Sequence, residues 1–467
     1  MSHKPDQELK NQYFRKLPSI NKILEHQDLE YLIKSYPQTL IVKAAREIID
    51  LYKYLIMSAE DDEDLYNLNL SINSIVKEVG ERAVKYGRMS LRRVVNATGD
   101  ILNSRLGRAP LNESAYNAVC DVAFRYSNLL VNGDRDLHIQ DLLSLLTGAE
   151  CGLVTNNNAS AIMLIINTIC DGKEVIISRG QLIECDNLRL PDLVTKSGAE
   201  MVPVGTTNKT HINDYKKAIN ENTGAIMRVH KSNYRIVGFT EDVPIQELAE
   251  LGKQYNIPVI DNIGTGCLID LTQYGLPEEP YARLSIKSGA DIVCFSGDKL
   301  LSGPSAGIIV GKKERILKMK ENILYRVLRA NKMVISALEA SLRLFLDDSK
   351  IMELNPVLRF LSRTVEEIGQ MTQLLISKIE GELQGLAEIV VKDGYSPSEF
   401  MQAVSLPTKL LFIKPLNLSS DIFYDRLLSR FLPIITRKHE EYIVFDLRTV
   451  WHDEIDEIAK AIKECLV

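Results

Sequence analysis

No CxxC pair occurs in the sequence. None of its seven cysteines (Cys120, Cys151, Cys170, Cys185, Cys267, Cys294 and Cys465) stands at metal-ligand spacing from a histidine. A scattered, odd set of thiols excludes a disulfide frame and a zinc module and fits a reducing cytoplasm. Apolar runs are short, well below the roughly 18 residues that a membrane span needs. The opening stretch MSHKPDQELKNQYFRK has no apolar centre and does not read as a signal peptide. A basic excess is lacking too. With 56 Lys and Arg against 62 Asp and Glu the net charge is −6, so nucleic acid gains no bulk attraction and any RNA contact has to be a local patch. Internal repeats and low-complexity tracts are also missing.

What is there is a chain of 467 residues, 45% hydrophobic and 25% charged, ample for one large core with satellites. Three regions separate. Residues 1–90 read as helical: Ile20, Ile23 and Leu24 share a face behind a Ser19 cap, Pro37 punctuates, and QTLIVKAAREIIDLYKYLIM follows. The acidic run Glu60 to Asp64 reads as a solvated turn. From about residue 170, short apolar runs (EVIIS, AEMVPV, AIMRVH, IPVIDNI, DIVCFS, AGIIVG) alternate with amphipathic stretches such as VPIQELAELGKQYN. That alternation predicts an α/β fold with a mainly parallel sheet covered by helices on both faces, in a large domain over 91–335. Residues 336–467 read as long helices followed by a smaller α/β domain.

Ligands of open α/β sheets sit beyond the carboxyl ends of the strands, so polar residues just after the apolar runs are the candidates. They are Asn156, Asn157 and Asn158; His230, Lys231, Ser232 and Asn233; Asp261 and Asn262; and Ser296, Asp298 and Lys299. The helix start after TNNNAS offers free N–H groups and a favourable dipole for a phosphate. A strand-end lysine joined to a phosphate cradle points to pyridoxal 5'-phosphate, which a lysine amine holds as a Schiff base.

The stretches VVNATGDILNSRLGRAPLNESA, LLTGAECGLVTNNNASAIMLIINTICDGKEVIISRGQLIE, VGTTNKTHINDYKKAINENTGAIMRVHKSNYRIVGFTEDV, FSGDKLLSGPSAGIIVGKKE and VFDLRTV closely resemble the bacterial selenocysteine synthase family, the L-seryl-tRNA(Sec) selenium transferases. The similarity spans nearly the whole chain. The resemblance implies a fold-type I pyridoxal phosphate enzyme with a seven-stranded sheet that converts seryl-tRNA(Sec) to selenocysteinyl-tRNA(Sec) using selenophosphate. It implies Lys299 as the cofactor lysine and Asp298 as the acid beside it, and the strand-end reading adds Asn157, Asn158, His230, Asn262 and Ser296 around the cofactor. Arg108, Arg326 and Arg329 are implied to bind the selenophosphate anion, a task that suits guanidinium forks. A homo-oligomer, a dimer or a ring of dimers, and contact between the N-terminal helices and tRNA(Sec), with Lys43 and Arg46 among the contacts, are implied as well. Residues 1–90 hold 13 Lys and Arg against 14 Asp and Glu, so that contact would rest on shape and a few basic residues.

Three departures from the family pattern stand in loops that should share one pocket. Asn262 in VIDNIGTGC takes the place of an aspartate that would pair with the pyridine nitrogen, and Asp261, one step earlier, belongs to the other strand face unless a bulge turns it inward. The loop LVNGDRDL before His138 is shortened. ECDNLRLPD, around Asp186 and Asn187, replaces a Gly-Gly-Ser segment. They leave a second reading, a divergent paralog that uses another amino substrate or serves as a noncatalytic binding or regulatory protein.

Overall fold

The computed structural model describes residues 7–131, 133–185, 187–398 and 406–466. It divides into two compact units, Met1–Arg93 and Val94–Val467. In the first, helices Gln38–Ser58 and Ile72–Gly87 pack Ile41, Ala45 and Ile48 against Val76, Val79 and Ala83. Ser19 caps a five-residue helix, Ile20–Leu24, by accepting from the Lys22 N–H at 3.3 Å, as the sequence predicts. The acidic run departs from expectation. Asp61 caps a short helix, Asp62–Tyr66, and the Asp64 carboxylate accepts the Glu60 N–H at 2.8 Å, so these charges sit where the helix dipole favours them.

The second unit is built on seven strands: β1 Cys151–Thr155, β2 Glu174–Ser178, β3 Glu200–Val204, β4 Thr223–Val229, β5 Val259–Gly264, β6 Ile292–Ser296 and β7 Gly307–Gly311. They lie in the order β1-β7-β6-β5-β4-β2-β3. β2 to β6 pair in parallel, and β7 runs antiparallel to both of its neighbours, β1 and β6. The carboxyl ends of β1, β2, β4, β5 and β6 therefore emerge along one edge. Strand alternation divides the core into two layers. Val154, Ile176, Ile226, Val259 and Val293 face one set of helices, and Leu153, Val175, Met227, Ile260 and Cys294 face the other. Burial on both faces explains why these strands read as continuous apolar runs.

Residues 387–396, 406–415, 442–446 and 437–439 form, in that order, a four-stranded antiparallel sheet packed on helices Val365–Leu383 and Ile455–Leu466. Val95–Asn96 pairs in parallel with Ile434–Ile435, so the start of this unit is tied to its end. No helix among the described residues is long and apolar enough to cross a membrane.

Gly307, at the start of β7, packs directly on the turn after β1: a Cβ there would lie 2.1 Å from the Asn157 carbonyl oxygen and 2.5 Å from Thr155 Oγ1. Gly307→Ala is expected to cost about 1–3 kcal/mol of stability by forcing strand and turn apart, read from denaturant unfolding. An unchanged midpoint would show that the turn yields freely.

Candidate active site

A cavity of about 390 Å³ opens at the carboxyl edge of the sheet, within the ~300–1,000 Å³ range of small-molecule sites. A larger groove of about 760 Å³ lies at the opposite ends of β5 and β6, lined by Lys253, Lys287, Lys312 and Arg315, far from the residues singled out in the sequence. The smaller cavity is the one that gathers them: Arg108, Asn157, Asn158, Asn262, Ser296, Asp298 and Lys299 all line it.

Lys299 is delivered by the turn that ends β6, and several backbone groups of that turn are bonded. Gly297 N–H donates to the Ala306 carbonyl at 2.9 Å, Gly303 N–H to Gly297 at 2.9 Å, Leu300 N–H to Thr265 at 3.0 Å, and Ser302 N–H to Lys299 at 2.9 Å. Asn355 Nδ2 holds the Leu300 carbonyl at 2.9 Å. The side chain is only 6% exposed, so a primary amine is presented from a rigid frame at the cavity wall. Asp298 beside it accepts from Arg108 Nη1 at 3.1 Å. Arg108 adopts left-handed backbone (φ 64°), a conformation that costs a non-glycine residue about 1–2 kcal/mol. The Ala109 N–H, donating to the Asp298 carbonyl at 3.2 Å, ties that loop to the lysine turn.

Opposite the lysine, helix Asn158–Cys170 begins at the cavity. Asn157 caps it by accepting the Ser160 N–H at 2.8 Å, and Thr155 Oγ1 donates to the Asn157 carbonyl at 3.0 Å. Asn158 Nδ2 donates to Asn262 Oδ1 at 3.0 Å, which leaves Asn158 Oδ1 buried without a partner. Asn262 is on the inner end of β5, on the face shared with Ile260. Asp261 faces the other way, fully buried, and accepts from Arg228 Nε at 2.8 Å and Nη2 at 2.6 Å. The irregular register of β5 against β6 comes after Asn262, so no bulge turns Asp261 inward.

Three residues named from the sequence lie elsewhere. His230 donates its backbone N–H to the Asn262 carbonyl at 2.9 Å, but its imidazole sits 3.2 Å from Glu279, in a neighbouring cavity of about 440 Å³ shared with Arg228 and Lys231. Arg326 is exposed on helix Ile323–Leu328 and Arg329 caps its end. Neither is among the described residues lining the Lys299 cavity. The segment ECDNLRLPD, expected to share the pocket, does line the cavity through Cys185 and Leu188, which no site assignment names individually, from a hairpin pairing Glu184–Cys185 with Leu188–Arg189. Asn187 in its turn has φ 64°, and the Asp-Asn dipeptide was the signal for that turn; Asp186 itself lies outside the described residues. His138 of the shortened loop rests against the Leu129 carbonyl at 3.3 Å.

Among the described residues no group of His, Cys, Asp and Glu could hold a metal ion. Burial pushes the Cys267 thiol up to about 12 and raises Cys294 further, so both are protonated packing residues. The residues fit pyridoxal phosphate: a buried primary amine, a helix N-terminus for a phosphate, and an unpaired buried acceptor on Asn158 at the start of that helix.

Fold and site together define a fold-type I α/β protein with a strand-end lysine. A solved D-glucosaminate-6-phosphate ammonia-lyase shares the fold with a TM-score of 0.58 at 18% identity, over 82% of this chain and 98% of that one. The chain belongs to the L-seryl-tRNA selenium transferase family, whose model matches residues 94–451, and the selenocysteine synthase N-terminal model matches residues 14–52. It is 39% identical over 470 residues to the L-seryl-tRNA(Sec) selenium transferase of Alkaliphilus oremlandii (strain OhILAs), covering 98% of this chain and 99% of the relative. It is 40% identical over 461 residues to that of Aquifex aeolicus (strain VF5), covering 97% and 98%.

Because Asp261 is committed to Arg228, Asp261→Asn is expected to act on stability. Arg228 keeps some exposure, so the loss should be about 2–3 kcal/mol, below that of a fully buried pair. Chemical denaturation checks it. A variant as stable as the wild type but unable to retain pyridoxal phosphate would place Asp261 in the cofactor site instead.

Proposed function

We propose that the chain is a pyridoxal-phosphate-dependent selenium transferase that converts seryl-tRNA(Sec) to selenocysteinyl-tRNA(Sec) with selenophosphate as the selenium donor. The observation that carries this reading is the meeting of Lys299, the start of helix Asn158–Cys170 and the Arg108–Asp298 pair in one cavity of a chain belonging to this family. When bound, pyridoxal phosphate supplies the electron sink that lets a proton leave Cα and a hydroxyl leave Cβ of a serine.

In this reading the protein's own groups divide the remaining work. Lys299 Nζ would hold the cofactor and, as an amine on a rigid turn, would be placed to take the Cα proton. The Asn157 and Asn158 turn binds the cofactor phosphate through helix N–H groups. Asn262 and Ser296 line the cavity that would hold the ring, and His230 steadies Asn262 through its backbone carbonyl. Arg108, oriented by Asp298, offers a guanidinium to the selenophosphate anion. Arg326 and Arg329 join it from a second copy, since they lie outside their own chain's cavity, which makes the working form a homo-oligomer with sites between subunits. The seven cysteines, free of disulfides among the described residues, suit a cytoplasmic enzyme.

The first unit is assigned to tRNA(Sec). Lys43 and Arg46 project from one face of helix Gln38–Ser58, with Lys43 Nζ 4.7 Å from the Tyr86 ring centre.

Borohydride reduction of the cofactor-loaded protein followed by peptide mapping is expected to place the pyridoxyl group on Lys299, and Lys299→Ala should lose the visible absorption band while keeping the fold. Label on another lysine would refute the assignment. Seryl-tRNA(Sec) and selenophosphate should yield selenocysteinyl-tRNA(Sec) with the wild type and none with Lys299→Ala.

Removing residues 1–93 should weaken tRNA(Sec) binding at least tenfold in filter or gel-shift titrations and leave the cofactor band in place. Unchanged affinity would take the tRNA role away from this unit.

A further inference from the structure

The two amides on the cavity floor have determinate directions. Asn262 Oδ1 lies 3.2 Å from the Gly264 backbone nitrogen and 3.0 Å from Asn158 Nδ2. A backbone N–H can only donate, so the atom facing it has to be the oxygen, and the usual ambiguity of an asparagine is removed. With Oδ1 turned to Gly264, Asn262 Nδ2 points the other way. It donates to no described group, and since Asn262, although almost fully buried, lines the cavity, the amide N–H is the polar group it turns toward that space. The geometry of Gly264, at φ 65°, is what brings its N–H back onto the side chain two residues earlier.

No described acid competes for this position. Among the described residues lining the cavity Asp298 carries the only carboxylate, and it is bound to Arg108 at 3.1 Å. Asp261 is on the far face with Arg228. The floor beside Lys299 thus offers a neutral donor.

This bears on the cofactor, and the step rests on the reading that the cavity holds pyridoxal phosphate. With the aldehyde carbon at Lys299 and the phosphate at the helix N-terminus, the pyridine nitrogen would lie on the far edge of the ring, para to the aldehyde carbon and beside the methyl-bearing carbon. Asn262 comes from β5, next to the β6 strand that delivers the lysine. A protonated ring nitrogen is a donor and would meet the Asn262 amide N–H head to head, whereas an unprotonated one is an acceptor and pairs with it. We propose that Asn262 donates a hydrogen bond from Nδ2 to the ring nitrogen and holds the cofactor in its unprotonated-pyridine form. A carboxylate in the same place would do the reverse, keeping the proton on the ring. This floor therefore lowers the electron demand of the ring, and the burden of Cα proton removal moves to the placement of Lys299.

The test is spectroscopic and independent of turnover. Protein loaded with pyridoxal phosphate labelled with nitrogen-15 in the ring should give a resonance at the unprotonated pyridine position, unmoved as the pH is lowered through the neutral range. Asn262→Asp should shift it to the pyridinium position. Asn262→Leu should leave it unprotonated but weaken cofactor retention about fivefold, the loss of one ordinary hydrogen bond. A pyridinium resonance in the wild type overturns the proposal, and that measurement stands even if a variant fails to fold. The cofactor reading is checked separately on the same sample: label on Lys299 with a protonated nitrogen defeats this proposal alone, and absence of label on Lys299 defeats both.

Discussion

The two-residue period of β5 is the constraint on which the site depends. Successive side chains of a strand point to opposite faces, so Asp261 and Asn262 cannot both look into the cavity. The bidentate pair with Arg228, its neighbour across the β4–β5 ladder, commits Asp261 to one face and thereby assigns Asn262 to the other. The same alternation sorts Val259 and Ile263 from Ile260 into separate cores. Shifting β5 by one residue would bring a carboxylate to the cavity only by burying an amide against Arg228 and moving the apolar residues around it into the opposite core layer. The ion pair therefore acts as a register lock.

Close backbone approach is the second constraint, and it makes the lysine turn stiff. Gly266 has φ 74° and sits where a Cβ would be 2.1 Å from the Ser296 carbonyl, so the loop after β5 lies directly on the end of β6. The Thr265 carbonyl can then accept the Leu300 N–H, one residue past Lys299. On the other side Gly307 admits the Asn157 turn. Lysine and helix N-terminus are thus positioned from a common backbone scaffold, with little left to side-chain freedom, which is how a site holds geometry without a bound ligand.

Much of this was legible in the sequence, for physical reasons. Six of the seven central strands read as apolar runs, five because they are buried on both faces and β3, at the sheet edge, although it is only partly buried. β1, CGLVT, was not marked, since five residues with a glycine inside them do not stand out beside the helices that flank them. The strand-end polar residues located Lys299, Asp298, Asn158 and Asn262, because topology alone places strand ends on one edge. His230 carries the same strand-end signal and Arg326 and Arg329 are named by resemblance alone, but the chain's local pattern does not encode which of two adjoining cavities an imidazole enters or which side of a helix an arginine occupies. The segment bearing Cys185 and Leu188 is legible as a pocket loop, but its hairpin form is not, because its two-residue strands carry no periodicity. The direction of the Asn262 amide was beyond reach too, as it depends on the N–H of a glycine in left-handed backbone two residues on.

The motif VFDLRTV illustrates how a specific sequence signal serves structure without touching the cavity. Asp446, fully buried, accepts from Ser396 Oγ at 2.7 Å, Thr408 Oγ1 at 2.9 Å and the Arg448 N–H at 3.1 Å. Arg448 donates to Ser396 Oγ and to the Phe360 and Arg363 carbonyls, each at 3.0 Å. Arg363 in turn donates from Nη1 to the carbonyls of Leu447, Arg448 and Val450. Burial disfavours the charged form of both guanidiniums, and carbonyl oxygens offset much of that cost. The network also holds the other end of the unit: the Asp446 N–H donates to the Ala97 carbonyl at 2.9 Å and the Gly99 N–H to Thr449 Oγ1 at 3.2 Å. Gly99 packs so closely that a Cβ would meet the Asp446 carboxylate at 2.1 Å. Nine residues after this clasp comes Arg108. The arginine that faces Asp298 is consequently positioned from two directions, by the lysine turn through Ala109 and by the C-terminal sheet through the segment before it. A chain that buries two arginines to secure one short segment is investing in the placement of what that segment carries.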